Sequence, residues 1–281
     1  MVETATKLVV KDYKSDVKPT WCPGCGDFGV LSASLKALAE LQLKKEDVVV
    51  VSGIGCSGRM TYFLTPYGMH GLHGRAIPLA TGVKFANPDL TVLVMAGDGD
   101  LFSIGAGHLP HAAARNVDIT VICMDNQTYG LTKAQASPTS KIGHTSKSTP
   151  HGVISEPANP VLTALSSGAT FVARGYSAKP PQLQDLIVRG IQHKGFAFVH
   201  VQSPCTEFHD TFDYYNERIE QLPDDWDPSD REAAIRLALT DDREYLGLFY
   251  QTERAVYETT AREWAPINDE FDVETYLAQF A

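Results

Sequence analysis

The chain predicts an α/β fold: a mostly parallel sheet with helices on both faces, followed by a C-terminal extension. Three observations carry this reading. Apolar runs rich in Val, Ile and Phe alternate with segments of helical spacing. The runs are apolar throughout rather than at every second position, as in strands buried on both faces. Polar or glycine-rich residues follow the runs directly, where strands would end.

The strand-like runs are DVVVVSGIG (47–55), LTVLVMAGDG (90–99), ITVICMDN (119–126), ATFVARG (169–175) and FAFVHVQSP (196–204). Helical spacing marks 29–42, 74–86, 106–116, 159–168 and 180–195 between them. The alternation is that of strand–helix–strand units, which build parallel sheets. Residues 127–158, rich in Ser, Thr, Gly and Pro, are the long exception. A connection of that length inside a compact domain points to function. Residues 1–205 are therefore expected to form one domain and 206–281 an extension that wraps this chain or a partner. The extension is acidic and aromatic, with one signalled helix: Asp227 as cap, Pro228 in the first turn, and Ser229 with Glu232 as a capping box.

Composition narrows the function. A net charge of −10 over 281 residues argues against nucleic acid as a partner. No run approaches the roughly 18 apolar residues of a membrane span. The opening stretch, MVETATKLVVKDYKSD, lacks an apolar signal core, so a cytoplasmic location is expected. Five cysteines in such a chain do not read as a disulfide framework.

Four of those cysteines can meet. Ligands of parallel sheets bind beyond the carboxyl ends of the strands. Cys56 and Cys205 follow strand ends, and the C-x-x-C pair Cys22 and Cys25 sits in a loop just before the first long helix. Cys123 lies inside an apolar run and reads as a core thiol. Four thiolates suit tetrahedral zinc or a [4Fe–4S] cluster equally by count. Structural zinc usually takes two close pairs; a single close pair with two dispersed cysteines favours a cluster.

A second signal is more specific. GDGD (97–100) ends one strand and Asn126 follows the next. Gly97 and Gly99 allow close approach of backbone to phosphate. Asp98 and Asn126 are hard oxygen donors suited to Mg²⁺ on a diphosphate, and the carbonyl of Thr128 offers a third. The plainer reading is a turn and a cap, but G-D-G, a helix, a second strand and D-N within thirty positions is a strong combination.

Residues 97–132 resemble the thiamine diphosphate signature, and 15–210 as a whole resembles the β subunit of two-subunit 2-oxoacid:ferredoxin oxidoreductases. The matching stretches are WCPGCG (21–26), GIGCSGR (53–59), HGLHGRA (70–76), GDGD, DNQTYGLTKAQASPT (125–139) and SPCTEF (203–208). The resemblance implies a thiamine-diphosphate-binding fold. It implies one [4Fe–4S] cluster on Cys22, Cys25, Cys56 and Cys205, and Mg²⁺ held by Asp98, Asn126 and Thr128. The cofactor is expected against Gly55, Cys56, Ser57, His73, Gly97, Asp98, Gly99, Asp100, Asn126, Thr128, Gly130 and Leu131. Oxidative decarboxylation of a 2-oxoacid with coenzyme A and ferredoxin follows as the implied activity, or its reverse. Thiamine enzymes need a glutamate at the cofactor's pyrimidine, and none occurs between 48 and 155. An α subunit is expected to supply it, in a heterodimer or (αβ)₂.

Substrate choice is expected to rest on Arg59, with Lys133 as its rival: a cation gripping a second carboxylate favours 2-oxoglutarate over pyruvate or a broad range. With His73 these are the catalytic candidates. His70 reads as a solvated or hydrogen-bonded loop residue. His108, His111, His144 and His151 form no constellation, and Asp224-Asp225 reads as a solvated helix start. Gly53–Gly58 spells the dinucleotide fingerprint G-x-G-x-x-G, but the acidic residue due some twenty positions on is missing near Pro78. Two other classes compete: a thiamine enzyme without redox function, which has no use for four cysteines, and a zinc-stabilised binding protein, which has no use for the diphosphate residues.

Overall fold

The computed structural model describes residues 7–240, 242–264 and 273–280. The outermost residues of the two expected units, 1–6 and 281, lie outside the described residues, as do Asp241 and 265–272 of the extension.

The strands are β1 (Val48–Ser52), β2 (Tyr67–His70), β3 (Thr91–Gly97), β4 (Thr120–Asp125), β5 (Thr128–Tyr129), β6 (Gln135–Ala136), β7 (Phe171–Tyr176), β8 (Ala197–Gln202), β9 (Ile219–Gln221) and β10 (Glu244–Gln251). The helices are α1 (Val10–Tyr13), α2 (Asp27–Glu40), α3 (Ala76–Ala86), α4 (His108–Arg115), α5 (Pro160–Ser166), α6 (Pro180–Gln192), α7 (Phe212–Arg218), α8 (Arg231–Ala238), α9 (Tyr257–Trp264) and α10 (Val273–Ala278).

Eight strands form one sheet in the order β2-β1-β3-β4-β8-β7-β10-β9. From β2 to β7 every pairing is parallel. Strand β10 pairs antiparallel with β7, and β9 runs parallel to β10. The five apolar runs are β1, β3, β4, β7 and β8, and their side chains alternate between two cores. Val48 and Val50 pack with α2 and α6 on one face, whereas Val49 and Val51 pack with α3, α4, α5 and α8 on the other. Burial on both faces is why these runs show no polar alternation.

The structure adds strands that the apolar runs do not mark. Strand β2 is an edge strand with exposed residues, so it carries no apolar run. Strands β9 and β10 belong to the tail, which extends the sheet as well as covering it. The helix expected from Asp227 starts later. Asp230 caps α8 by accepting from Ala233 N at 2.9 Å, while Asp227 turns back on Ser229. The Ser229–Glu232 capping box does not form; Glu232 faces Arg236 instead. In the sequence DPSD both aspartates are competent caps, and only the second is in register with Ala234 and Ala238, which α8 buries.

Asn116 fastens the tail to this frame. It ends α4 in the left-handed region (φ 55°) and is fully buried. Its Nδ2 donates to the carbonyls of Arg254 and Ala255 at 3.0 and 3.2 Å. Its Oδ1 accepts from Thr170 Oγ1 at 2.6 Å and Phe196 N at 2.9 Å. Asn116→Ala therefore strands buried partners and leaves in the left-handed region a residue that tolerates it less well than asparagine. A loss of about 3 kcal/mol is expected, read as a lower urea midpoint at unchanged m-value.

Candidate active site

The carboxyl ends of β1, β3, β4 and β8 meet at one edge, and three cysteine-bearing segments are tied together there. Trp21 Nε1 donates to the carbonyl of Cys56 at 2.8 Å. Gly26 N donates to the carbonyl of Pro204 at 3.0 Å, and Thr206 Oγ1 to that of Pro23 at 2.8 Å. Ser203 Oγ donates to Asp27 Oδ1 at 2.8 Å. The C-x-x-C loop, the loop after β1 and the segment after β8 thus form one unit.

Cys22, Cys25, Cys56 and Cys205 line a single cavity of about 170 Å³. A Cβ placed on Gly130 would lie 3.7 Å from the sulfurs of both Cys56 and Cys205. Burial pushes the Cys25 thiol well up, with Asp27 adding to the rise. Burial and Asp27 push Cys56 up to about 11. Asp27 is itself buried at the start of α2 and raised by burial to about 6, with Oδ2 unpartnered among the described residues. Among the described residues no three His, Cys, Asp or Glu groups converge so as to hold one metal ion. Cys123 is fully buried on β4, away from this cavity.

A second cavity, of about 120 Å³, lies beside the first. Every residue expected to face the cofactor lines it: Gly55, Cys56, Ser57, His73, Gly97, Asp98, Gly99, Asp100, Asn126, Thr128, Gly130 and Leu131. Ile54, Met124, Tyr129 and Thr132 also line it, and the motifs do not point to them. Cys56, Asn126, Gly130 and Leu131 belong to both walls. Arg59 and Lys133 face the cysteine cavity and not the second one.

Asp98 is buried, and Thr139 Oγ1 lies 2.7 Å from its Oδ2. Burial raises the Asp98 carboxyl, and the charge of Asp125 raises it further. The turn after β4 is made by side chains: Gln127 N donates to Asp125 Oδ1 at 3.0 Å, and Thr128 N to Asn126 Oδ1 at 3.1 Å. Asp100, the last residue of GDGD, is committed to the loop before α3. Its Oδ1 accepts from Gly74 N at 2.6 Å and stands 2.5 Å from His73 Nδ1, which leaves the Nε2 side of His73 for the pocket. His70 is hydrogen-bonded: its Nδ1 is 2.9 Å from the carbonyl of Gly58 and 3.0 Å from Ser52 Oγ. His144 stacks edge-on against His209, and His108 and His111 lie on α4.

The glycine at position 99 has a reason the motif does not disclose. A Cβ there would come within 2.2 Å of the Tyr129 ring, which packs over the turn.

Comparisons with known proteins establish the family. Residues 53–201 match the thiamine pyrophosphate enzyme C-terminal TPP binding domain, which fits the second cavity. Residues 207–265 match the family formed by the C-terminal part of the pyruvate ferredoxin oxidoreductase beta subunit. The β subunit of 2-oxoacid:ferredoxin oxidoreductase from Sulfolobus sp. is 49% identical over 249 residues, 83% of this chain and 82% of that one. The 2-oxoglutarate oxidoreductase subunit KorB of Mycobacterium tuberculosis is 47% identical over 200 residues, 71% of this chain and 54% of its own. The structure of 2-oxoglutarate:ferredoxin oxidoreductase from Magnetococcus marinus, with 2-oxoglutarate, coenzyme A and succinyl-CoA bound, superposes with a TM-score of 0.94. It is 44% identical and covers 99% of this chain and 98% of that chain. The fold is that of the TPP-binding domain of thiamine pyrophosphate enzymes. The chain belongs to the β subunits of the 2-oxoacid:ferredoxin oxidoreductases.

Gly99→Ala and Gly107→Ala separate space from backbone freedom. Gly107 has open space at its Cβ position and a negative φ. Gly107→Ala should leave stability within about 0.5 kcal/mol. Gly99→Ala should cost about 1–3 kcal/mol, because a ring must move. Thermal melts of the two variants check the contrast.

Proposed function

We propose that this chain, with an α subunit, carries out coenzyme-A-dependent oxidative decarboxylation of 2-oxoglutarate and passes the electrons through one [4Fe–4S] cluster to ferredoxin. The observation that carries the reading is the shared wall: Cys56, Asn126, Gly130 and Leu131 line both cavities. A decarboxylating cofactor and an electron acceptor held there would be neighbours.

Asp98, Asn126 and the Thr128 carbonyl are the donors for Mg²⁺ on the diphosphate. They fit by chemistry, being one buried carboxylate and neutral oxygens beside a cavity of cofactor-binding character. Cys22, Cys25, Cys56 and Cys205 are the cluster ligands. All four line one cavity, and one close pair with two dispersed cysteines favours a cluster over structural zinc, which usually takes two close pairs. Bound thiamine diphosphate supplies an electron sink for the carboxylate's bonding pair. The chain's part is to hold the diphosphate at the ends of β3 and β4 and to present His73 Nε2 to the reacting end. The same groups serve reductive carboxylation. Among the described residues no glutamate lines either cavity, and the residue that activates the cofactor comes from the α subunit, in an (αβ)₂ assembly. Reduced thiols suit a cytoplasmic setting.

Three observations support 2-oxoglutarate. The M. tuberculosis and Methanocaldococcus jannaschii relatives are named for it, the M. marinus structure contains it, and two cations of this chain line the cysteine cavity. Arg59 Nη1 is engaged by Thr20, at 3.0 Å from Oγ1 and 3.3 Å from the carbonyl. Lys133 is exposed on a left-handed turn (φ 73°) and lines the same cavity.

Anaerobic purification of the αβ enzyme tests the proposal. Cys205→Ser should lose most of the iron and the 2-oxoglutarate-dependent reduction of ferredoxin, while Cys123→Ser keeps both. Full iron in Cys205→Ser would overturn the cluster assignment.

The cation is tested by selectivity. Truncating a charge-assisted contact to the distal carboxylate costs about 10–150-fold in kcat/KM. Arg59→Met and Lys133→Met are compared on 2-oxoglutarate and pyruvate. The residue that grips the carboxylate loses activity on 2-oxoglutarate alone; equal losses on both substrates exclude it.

A further inference from the structure

Behind the diphosphate cavity runs a chain of polar side chains, buried except for the half-buried Glu244 at its end, that none of the roles above uses. Thr139, in the long segment between β4 and α5, reaches both Asp98 and Asp125: its Oγ1 is 2.7 Å from Asp98 Oδ2 and 2.8 Å from Asp125 Oδ1. Asp125 is fully engaged. Oδ1 also accepts from Gln127 N, and Oδ2 lies 2.9 Å from His200 Nε2. His200 stands on β8 opposite Arg174 of β7 in the parallel register. Arg174 Nε donates to His200 Nδ1 at 3.2 Å, and Arg174 Nη1 donates to Glu244 Oε2 at 3.0 Å. Glu244 opens β10, in the tail.

This chain has one sense. Arginine never gives up its proton in a protein, so Nδ1 of His200 must be the acceptor. The imidazole then carries its hydrogen on Nε2 and donates it to Asp125. Burial and the adjacent Arg174 charge depress the pKa of His200 to about 3, which keeps the ring neutral. His200 is therefore a fixed donor in one orientation. Asp125 in turn has Oδ2 held by His200, while Oδ1 accepts from Gln127 N and shares with Asp98 the single hydroxyl proton of Thr139. Gln127 is in the left-handed region (φ 58°), and its amide is what folds the turn that carries Asn126 and Thr128.

We propose that Thr139, Asp125 and His200 are positioning residues for the diphosphate–metal site. They fix Asp98 and the 126–128 turn from behind, and Arg174 with Glu244 sets the tautomer of His200. The tail is thereby part of the cofactor site, although among the described residues no tail residue lines the diphosphate cavity. Outer partners of this kind orient the groups that touch a metal, and losing one weakens metal affinity by about 10–100-fold.

The inference rests on Asp98, Asn126 and Thr128 being the metal donors, and the experiment separates the two. The αβ enzyme is stripped of thiamine diphosphate and Mg²⁺. The Mg²⁺ concentration for half-maximal thiamine diphosphate binding is then read by calorimetry or cofactor fluorescence, together with a melt to establish folding. Asp98→Ala should abolish Mg²⁺-dependent binding; if it does not, the metal-site reading itself fails. With that control in hand, Thr139→Val should raise the half-saturating Mg²⁺ at least about tenfold. Thr139→Ser, which restores the hydroxyl, should return it to within about twofold. A folded Thr139→Val enzyme with parental Mg²⁺ dependence overturns the proposal. If Thr139→Val does not fold, Asp125→Asn decides. Its amide group opposes either the His200 N–H or the donors on the other side, so Mg²⁺ dependence must again weaken about tenfold, and parental behaviour overturns the proposal.

Discussion

Parallel strands cannot turn back directly on one another, and the rest of this structure depends on that constraint. Each of the strands from β2 to β7 must be followed by a crossover before the next can pair, so all of their carboxyl ends arrive on one edge. The loops leaving β1, β3, β4 and β8 are forced into contact there whatever they contain. This chain places GIGCSGR, GDGD, DNQTYG and SPCTE in those loops. The C-x-x-C loop is drawn to the same edge because its backbone and side chains bond to the segments after β1 and β8. Two cavities with a common wall are the outcome, and their closeness needs no residue beyond those that terminate strands.

What the sequence disclosed and what it withheld follow from the same physics. The five core strands were legible because burial on both faces leaves an unbroken apolar run. Strand β2 was not, because an exposed edge strand has no apolar requirement and YGMH shows none. Strand β10 lies in a stretch that reads as an aromatic tail, and only its pairing with β7 reveals it. Helix α8 takes Asp230 rather than Asp227 as its cap, a choice that a local signal cannot make when two competent caps stand side by side. That Asp98, Asn126, Cys56 and Cys205 come to one edge was legible because strand ends are conspicuous when glycines and acids interrupt apolar runs.

Supporting residues are harder to read. Thr139 sits in a long Ser- and Thr-rich segment with no periodicity, where one hydroxyl resembles the next. Arg174 and His200 did leave a trace: each is a basic residue inside an otherwise apolar run, ATFVARG and FAFVHVQ. A buried ionisable group on a strand calls for a partner. Which partner it takes depends on register between strands, and the pairing of Arg174 with His200 exists only once β7 and β8 are aligned. Gly99 shows the same limit from the other side. Its residue type suits a phosphate-binding turn, yet the nearest demand on it comes from Tyr129, thirty positions later.

The edge also concentrates the energetic conflicts of the fold. Asp27, Asp98, Asp100 and Asp125 are all buried in a chain that is already acidic. Burial raises Asp27, Asp98 and Asp125, which states that their charged forms are disfavoured where they stand. Asp27 Oδ2 and Asp100 Oδ2 lack partners among the described residues. A domain selected for stability alone would not assemble carboxyls in this way, since an apolar replacement of equal volume costs nothing in desolvation. A cation held at the edge, as proposed for Mg²⁺, would make the arrangement favourable. The hydrogen bonds from Thr139, Ser203, His200 and backbone amides would then have a second effect, holding the carboxyls in place for it. Preorganisation of this kind moves the cost of bringing the carboxyls together from the binding step to the folding of the chain. The two large apolar cores flanking the sheet are what allow the fold to carry that cost.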